Sequence, residues 1–331
     1  MMSMNRRNVI IFVIVFLAGA GSGVLGVFLW NQFSSPAETF SQQIRQGGGY
    51  EYINPLLECE VAEGLLDARK ENFHDDLEEY VVHLKQNKNL SDVALYFRDL
   101  NNGPTFGVNE REEFFPASLL KVPVMMAYYH LSEQNPALLQ REVLYTTERE
   151  FNITPTIVPR ERIEIGKTYT VEELIRRMIV FSDNQALVLL TERLPLNVLQ
   201  DLFAMLGVGE DVLMNKDSKL TVKEYAGFFR ILFNSSYLSR ENSEKALALL
   251  SRTEYSEALP AGVPREVTVA HKFGEAGTGD VERQLHDCGV VYFPNHPYLV
   301  CIMTRGHDTE TLKSTMKDIS HFIYQKIDEQ Y

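Results

Sequence analysis

Strand signals stand at both ends of the main body of this 331-residue chain, and a long helical stretch separates them. Few folds satisfy that order. Leu90 to Arg98 alternates Val93, Leu95 and Phe97 as a half-buried strand does. Asn101-Asn102-Gly103 is a hairpin signal, and Pro104 to Val108 supplies the return strand. Towards the C-terminus three more strands are predicted: Val267 to Gly274, His286 to Phe293 and Tyr298 to Arg305. Pro294-Asn295-His296-Pro297 turns the last two. From roughly Pro116 to Leu250 the apolar spacing is mostly helical. Flanking helices are read over Val61 to Gln86 and Glu310 to Glu329. The pattern predicts an α+β fold of two lobes. An antiparallel sheet of about five strands, drawn from both termini, packs against helices, and an all-helical lobe stands beside it. A ligand site is expected where the lobes meet.

Upstream, Asn8 to Trp30 reads NVIIFVIVFLAGAGSGVLGVFLW without a charge. Its 23 residues would span roughly 35 Å as a helix, enough to cross a bilayer. Arg6 and Arg7 precede it, so the positive-inside rule puts residues 1–7 in the cytoplasm and the remainder outside. A cleaved signal peptide competes, with Ile10 to Leu17 as its apolar region and Ala18-Gly19-Ala20 as its cleavage site. The apolar run continues through Val24 to Trp30, which favours an uncleaved, single-pass signal anchor. Residues 31–50 are mostly polar with three glycines near the end and read as a flexible tether. Residues 51–331 would then be the outward-facing domain.

Composition narrows the class. Hydrophobic residues are 45% and charged residues 23%, so a packed core is available. The net charge of −13 and the lack of basic runs argue against nucleic acid as a partner. Cys59, Cys288 and Cys301 form no metal-ligand spacing, and neither a metal nor a cofactor is expected. Cys288 and Cys301 lie on neighbouring predicted strands, where a bridge is conceivable, although strand cysteines are more often plain buried thiols.

Three short motifs carry chemistry. In Ser118-Leu119-Leu120-Lys121, following Pro116 at a helix start, the spacing places the lysine amine within reach of the serine hydroxyl. A desolvated, neutral lysine can act as base for a serine nucleophile. Alone the motif is weak, because Ser314 to Lys317 repeats it on the predicted last helix. Ser182-Asp183-Asn184 interrupts an apolar run and would by itself read as a helix cap. His271-Lys272-Phe273-Gly274-Glu275 ends a strand, where a lone lysine would read as a solvated edge residue.

Together and in this order, the three motifs resemble the signature set of class A β-lactamases and penicillin-binding proteins. The flanking text agrees, as in YTVEELIRRMIVFSDNQA and HDCGVVYFPNHPYLVCIMTRG. The resemblance implies a β-lactamase/transpeptidase-like fold from about Leu90 onward and a role for each matching residue. Ser118 matches the nucleophile, Lys121 its base, and Ser182 the hydroxyl that relays a proton to the leaving nitrogen. Asn184 matches the side chain that binds the substrate amide and orients Lys121. Lys272 matches the lysine that attracts the substrate carboxylate. The backbone N–H groups of Ser118 and Glu275 would form the oxyanion hole, each worth ~3–4 kcal/mol at the barrier.

Two departures qualify the match. Phe273 stands where the family has Thr or Ser, so the hydroxyl that contacts a β-lactam carboxylate is missing and bulk is added near the pocket. Between Gln185 and Leu220 there is no Glu-x-x-Leu-Asn loop, whose glutamate activates the deacylating water. Glu192 is one residue out of register, and Asp211 and Asp217 lie where the loop would be, with no geometric reason to assign either as base. The expectation is a monomeric serine hydrolase domain on a bacterial cell membrane, facing out, that forms an acyl-enzyme with a β-lactam or cell-wall peptide. A penicillin-binding-protein-like carboxypeptidase or transpeptidase, a slow-turnover acyl-enzyme former and a non-catalytic cell-wall-binding module remain the alternatives.

Overall fold

The computed structural model describes residues 49–55, 68–101, 104–146, 150–152, 157–209, 212, 215, 217–277 and 282–331. The proposed anchor and tether, Cys59, Asp211, the start of the first predicted helix and the tip of the first hairpin lie outside them. Among the described residues no helix is long and apolar enough to cross a membrane.

Helix α1 (Ala68–Asn87) leads into strands β1 (Asp92–Asp99) and β2 (Thr105–Val108). The chain then enters the helical lobe. It passes a short strand β3 (Glu113–Phe114), a 3-10 turn (Ala117–Leu120) and helix α2 (Lys121–Gln134). A small hairpin, β4 (Glu142–Leu144) with β5 (Thr168–Thr170), precedes α3 (Val171–Val180), α4 (Asn184–Thr191) and α5 (Leu196–Met205). After β6 (Leu220–Thr221) come α6 (Val222–Phe233) and α7 (Arg240–Leu250). The chain returns to the sheet as β7 (Val269–Ala276), β8 (Arg283–Val291) and β9 (Tyr298–Gly306), and it ends in α8 (Thr309–Gln330). The main sheet has the order β2-β1-β9-β8-β7, with every pair antiparallel. The two ends of the chain thus meet at the β1–β9 seam, as the strand order predicts.

Period-two alternation sorts the side chains between two cores. On β1, Val93, Leu95 and Phe97 join Phe73, Leu77 and Val81 of α1 on one face of the sheet. The α8 stripe Leu312, Met316, Ile319, Ile323 and Ile327 completes that core. Ala94 and Tyr96 point the other way, into the core built with the helical lobe. The apolar spacing of α8 is three and four residues, which puts the whole stripe on one helix face. Its second SxxK is structural: Ser314 Oγ donates to Thr311 O and accepts from Lys88 Nζ at 2.8 Å.

The middle region is less uniformly helical than predicted, since β3 to β6 interrupt it. These strands are two or three residues long, too short for periodicity to register. α6 starts with a reciprocal cap: Glu224 N–H donates to Thr221 Oγ1, and Glu224 Oε2 accepts from Thr221 N–H.

Residues 51–54 are held at the junction of the lobes. The Glu244 carboxylate on α7 accepts from the backbone N–H groups of Glu51, Tyr52 and Ile53 at 2.7–3.0 Å. Tyr292 Oη, just past β8, donates to Tyr52 O. Asn54 N–H donates to Phe233 O.

Cys288 and Cys301 are disulfide-bonded, against the expectation of free thiols. Both are fully buried, and they are direct partners in the β8–β9 register. Cα atoms facing each other across adjacent strands are close enough to bridge, here 3.9 Å apart. Peptide mapping of the unreduced protein is expected to recover Cys288 and Cys301 as one linked pair. Recovery of both as alkylated thiols would contradict the pairing.

Candidate active site

The turn that carries Ser118 is wedged between the edge strand and the helical lobe. Pro116, Ala117 and Ser118 follow β3, and Ala117 sits at φ +47°, a conformation that side-chain-bearing residues rarely adopt. Ser118 lies on the 3-10 turn, not on the α-helix the sequence predicts; α2 begins only at Lys121. Pro123 falls in the first turn of α2, where its missing N–H removes no helical bond, so it does not bend the helix. In a 3-10 turn residues i and i+3 eclipse, which brings Ser118 and Lys121 together directly.

Several partners fix this turn. Gln284 Oε1 accepts from Phe115 N–H, and His286 Nε2–H donates to Phe115 O at 3.0 Å. Tyr225 Oη donates to Leu119 O. Burial lowers the His286 pKa to about 4, so the ring stays neutral and keeps that donor role. Gly274 on β7 lets the strand approach. A Cβ there would stand 3.0 Å from Pro116 O and Leu119 Cγ, so any side chain would push strand and turn apart.

Ser182 supplies the opposite wall. It follows α3 at φ +57°, which turns both its carbonyl and its hydroxyl toward Lys121. Asp183 caps α4 by accepting from Gln185 N–H, and it also accepts from Asn152 Nδ2. The cap and the functional residues are therefore the same tripeptide. Asn184 Nδ2 donates to Phe151 O, which orients Oδ1 toward Lys121.

Lys121 is fully buried, with its Nζ 2.9 Å from Ser118 Oγ, 2.6 Å from Ser182 O, 2.9 Å from Ser182 Oγ and 2.7 Å from Asn184 Oδ1. The Ser182 carbonyl and Asn184 Oδ1 can only accept. A neutral amine has two N–H groups, which these two acceptors use, and its lone pair is left facing the two hydroxyls. Burial lowers the Lys121 pKa to about 7, against the opposing pull of Asp183, so the neutral form is accessible near neutrality. The geometry can take a proton from Ser118.

Lys272 is also fully buried, not a solvated edge residue. Its Nζ donates to Ser182 Oγ at 3.1 Å and to Phe273 O at 2.9 Å. Burial, reinforced by Lys121, holds its pKa well below the usual lysine range. Phe273 is not loose bulk in a pocket. Its ring packs with Tyr255 at 4.3 Å between ring centroids and lies 3.9 Å from Lys272 Nζ.

The odd-numbered residues of β7 turn their peptide groups out of the sheet. His271 O accepts from Thr253 Oγ1 and Phe273 O from Lys272 Nζ. Glu275 belongs to the same set, so its N–H is directed toward the cleft, as an oxyanion donor must be. Its carboxylate accepts from Ile157 N–H at 3.3 Å. Among the described residues no carboxylate is hydrogen-bonded to Ser118 or Lys121. Glu192 is the C-cap of α4 and pairs with Arg193, and Asp217 is exposed on a turn.

The structure therefore gathers Ser118, Lys121, Ser182, Asn184 and Lys272 around one point, with Gly274 and Glu275 on the adjoining edge. Sequence reading missed Gln284, His286, Tyr225 and Asn152, which hold these groups. The polar run Arg283-Gln284 and His286-Asp287 inside an otherwise apolar strand was the available signal.

The model of the beta-lactamase enzyme family matches residues 73–327. PBP-A is similar in structure at a TM-score of 0.66 and 22% identity, over 77% of this chain and 96% of that one. A class A beta-lactamase from Mycobacterium abscessus has a TM-score of 0.64 at 20% identity, over 76% and 99%. A beta-lactamase from Chitinophaga pinensis has 0.66 at 17%, over 76% and 99%. No protein of curated function matches the chain.

Two outcomes follow from the site. Acylation of Ser118 should fall about tenfold per pH unit below pH 7, as Lys121 becomes protonated, and level off above it. A rate that is flat from pH 5 to 9 would remove Lys121 as the base. Gly274→Ala should slow acylation and lower stability by about 1–3 kcal/mol, because strand and turn must separate. Acylation kinetics and thermal melts of the variant check both effects.

Proposed function

The chain belongs to the beta-lactamase enzyme family, and on that premise we propose that it is a serine acyl-transfer enzyme working through an ester on Ser118. One observation carries the reading: Lys121 Nζ lies 2.9 Å from Ser118 Oγ, while Ser182 O and Asn184 Oδ1, which can only accept, take the two N–H groups of its neutral form. Lys121 takes the hydroxyl proton as Oγ attacks a lactam or amide carbonyl. The oxygen of the tetrahedral intermediate is held by the N–H groups of Ser118 and Glu275. As the carbonyl–nitrogen bond breaks, Ser182, which touches both Lys121 and Lys272, passes a proton to the nitrogen and is resupplied from Lys121. Asn184 holds the substrate amide. The products are an acyl-Ser118 ester and, for a lactam, a ring-opened amine still attached to it.

Hydrolysis of that ester needs an activated water. Among the described residues no carboxylate is hydrogen-bonded to Ser118 or Lys121, and on that footing the ester is expected to persist, which favours slow turnover over an efficient β-lactamase. PBP-A is known in a mutant form as an acyl-enzyme complex with penicillin G, and the same adduct is expected here. The apolar run over residues 8–30 would hold the domain, as a monomer, outside a bacterial membrane, where cell-wall peptides and β-lactams are met.

Intact-mass measurement over time after mixing with penicillin G tests the proposal. A stable adduct mapping to Ser118 is expected, lost in Ser118→Ala and slowed by about 10²–10⁴-fold in Lys121→Ala. An adduct that decays within seconds would instead establish rapid hydrolysis and a different water-activating group.

A further inference from the structure

The Lys272 amine has no direction left for a substrate. A lysine amine carries at most three donors. Ser182 Oγ takes one at 3.1 Å and Phe273 O takes a second at 2.9 Å. The third side is closed by the Phe273 ring, whose centroid lies 3.9 Å from Nζ. That ring is itself covered from beyond by Tyr255, and the Phe273 and Tyr255 side chains are 4% and 6% exposed. A hydroxyl-bearing residue at position 273 would leave the amine open and add a donor; the phenylalanine removes both.

The charge around this corner also opposes an anion. The Glu275 carboxylate stands on the same strand edge, tied across to Ile157 N–H. Asp287, Glu257, Glu275 and Glu310 all act on the Tyr255 hydroxyl, whose pKa is raised first by burial and then by these charges. Lys313 is the cation paired with Glu257 and Glu310, one charge against two. A carboxylate brought beside Phe273 would meet a capped amine and several negative groups.

We infer that Phe273 is a specificity-determining residue that closes Lys272 to carboxylates, so that the natural substrate is an amide, lactam or ester whose leaving side carries no carboxylate and is uncharged or amine-bearing. The inference rests on the acyl-enzyme reading and refines it. Lys272 keeps its bond to Ser182 Oγ, the hydroxyl that relays the proton. The lysine is thereby confined to the relay and removed from substrate recognition. Acylation is unchanged in its bonds: Ser118 Oγ joins the carbonyl carbon, the bond to the leaving nitrogen or oxygen breaks, and the Ser118 proton ends on the leaving atom.

The test compares a substrate with and without its carboxylate on the full-length protein. Penicillin G and its methyl ester share the lactam and the acyl side chain; phenyl acetate is a third, unrelated carboxylate-free probe. The rate of Ser118 adduct formation is read by intact mass. The methyl ester is expected to acylate at least as fast as the acid. Phe273→Thr is expected to raise the acid-to-ester rate ratio at least tenfold. Acylation by phenyl acetate but by neither penicillin also overturns the inference, because removing the carboxylate then restores no reaction. A wild-type protein that reacts tenfold or more faster with the acid than with the ester overturns the inference alone, leaving Ser118 as nucleophile. No adduct with any of the three overturns the acyl-enzyme reading and this inference with it.

Discussion

A lysine amine taken out of water loses several kcal/mol of solvation unless its charge is given up or every N–H finds an acceptor. This protein buries two such amines against one hydroxyl, that of Ser182. The arrangement is sustained by groups from three separate elements. Asn184 comes from the start of α4, the Ser182 carbonyl from a left-handed residue after α3, and the Phe273 carbonyl from the sheet edge. Shifting either lobe would strand a buried donor or acceptor, at about 1–3 kcal/mol for each group left unpaired. The lobes are therefore set against each other around the same buried amine whose desolvation lowers the Lys121 pKa. Stability and reactivity share one source here.

The support behind that cluster follows the same logic. A strained residue persists only where its surroundings over-determine it. Ala117 is locked by Phe115, whose N–H and carbonyl are both taken by side chains of β8, and by Gly274, which admits no Cβ between strand and turn. Ser182 is locked by the Asp183 cap and its bond to Asn152. The hydroxyls of Ser118 and Ser182 thus each adjoin or occupy a left-handed position, and each is presented by backbone that could not relax without breaking buried hydrogen bonds.

Much of this was legible in the sequence, because the chemistry travels in short, fixed spacings. Ser118 to Lys121 is a single turn, Ser182 to Asn184 is one cap, and Lys272 to Glu275 is one strand end. The strands were readable from alternation within a few residues of their ends. What escaped depends on register between segments far apart in the chain. Gln284 and His286 reach Phe115 only once β8 is paired, and the Cys288–Cys301 bond requires that these two residues, and not their neighbours, face each other. The role of Phe273 turned on which side of β7 it faces and on Tyr255, which lies in the connection before the strand. The 3-10 turn at Ser118 escaped because its composition suits either helix type, and packing against Gly274 is not a local property.

The segment at residues 51–54 has a mechanical consequence. Tension arriving along the chain from its N-terminal side reaches Glu244 before it reaches α1. Three backbone bonds to a single carboxylate, with the Tyr292 bond to Tyr52 beside them, take that load together. The force is passed to α7 and to the connection between β8 and β9, one in each lobe. A pull on the leading segment is thus shared across the body of the domain.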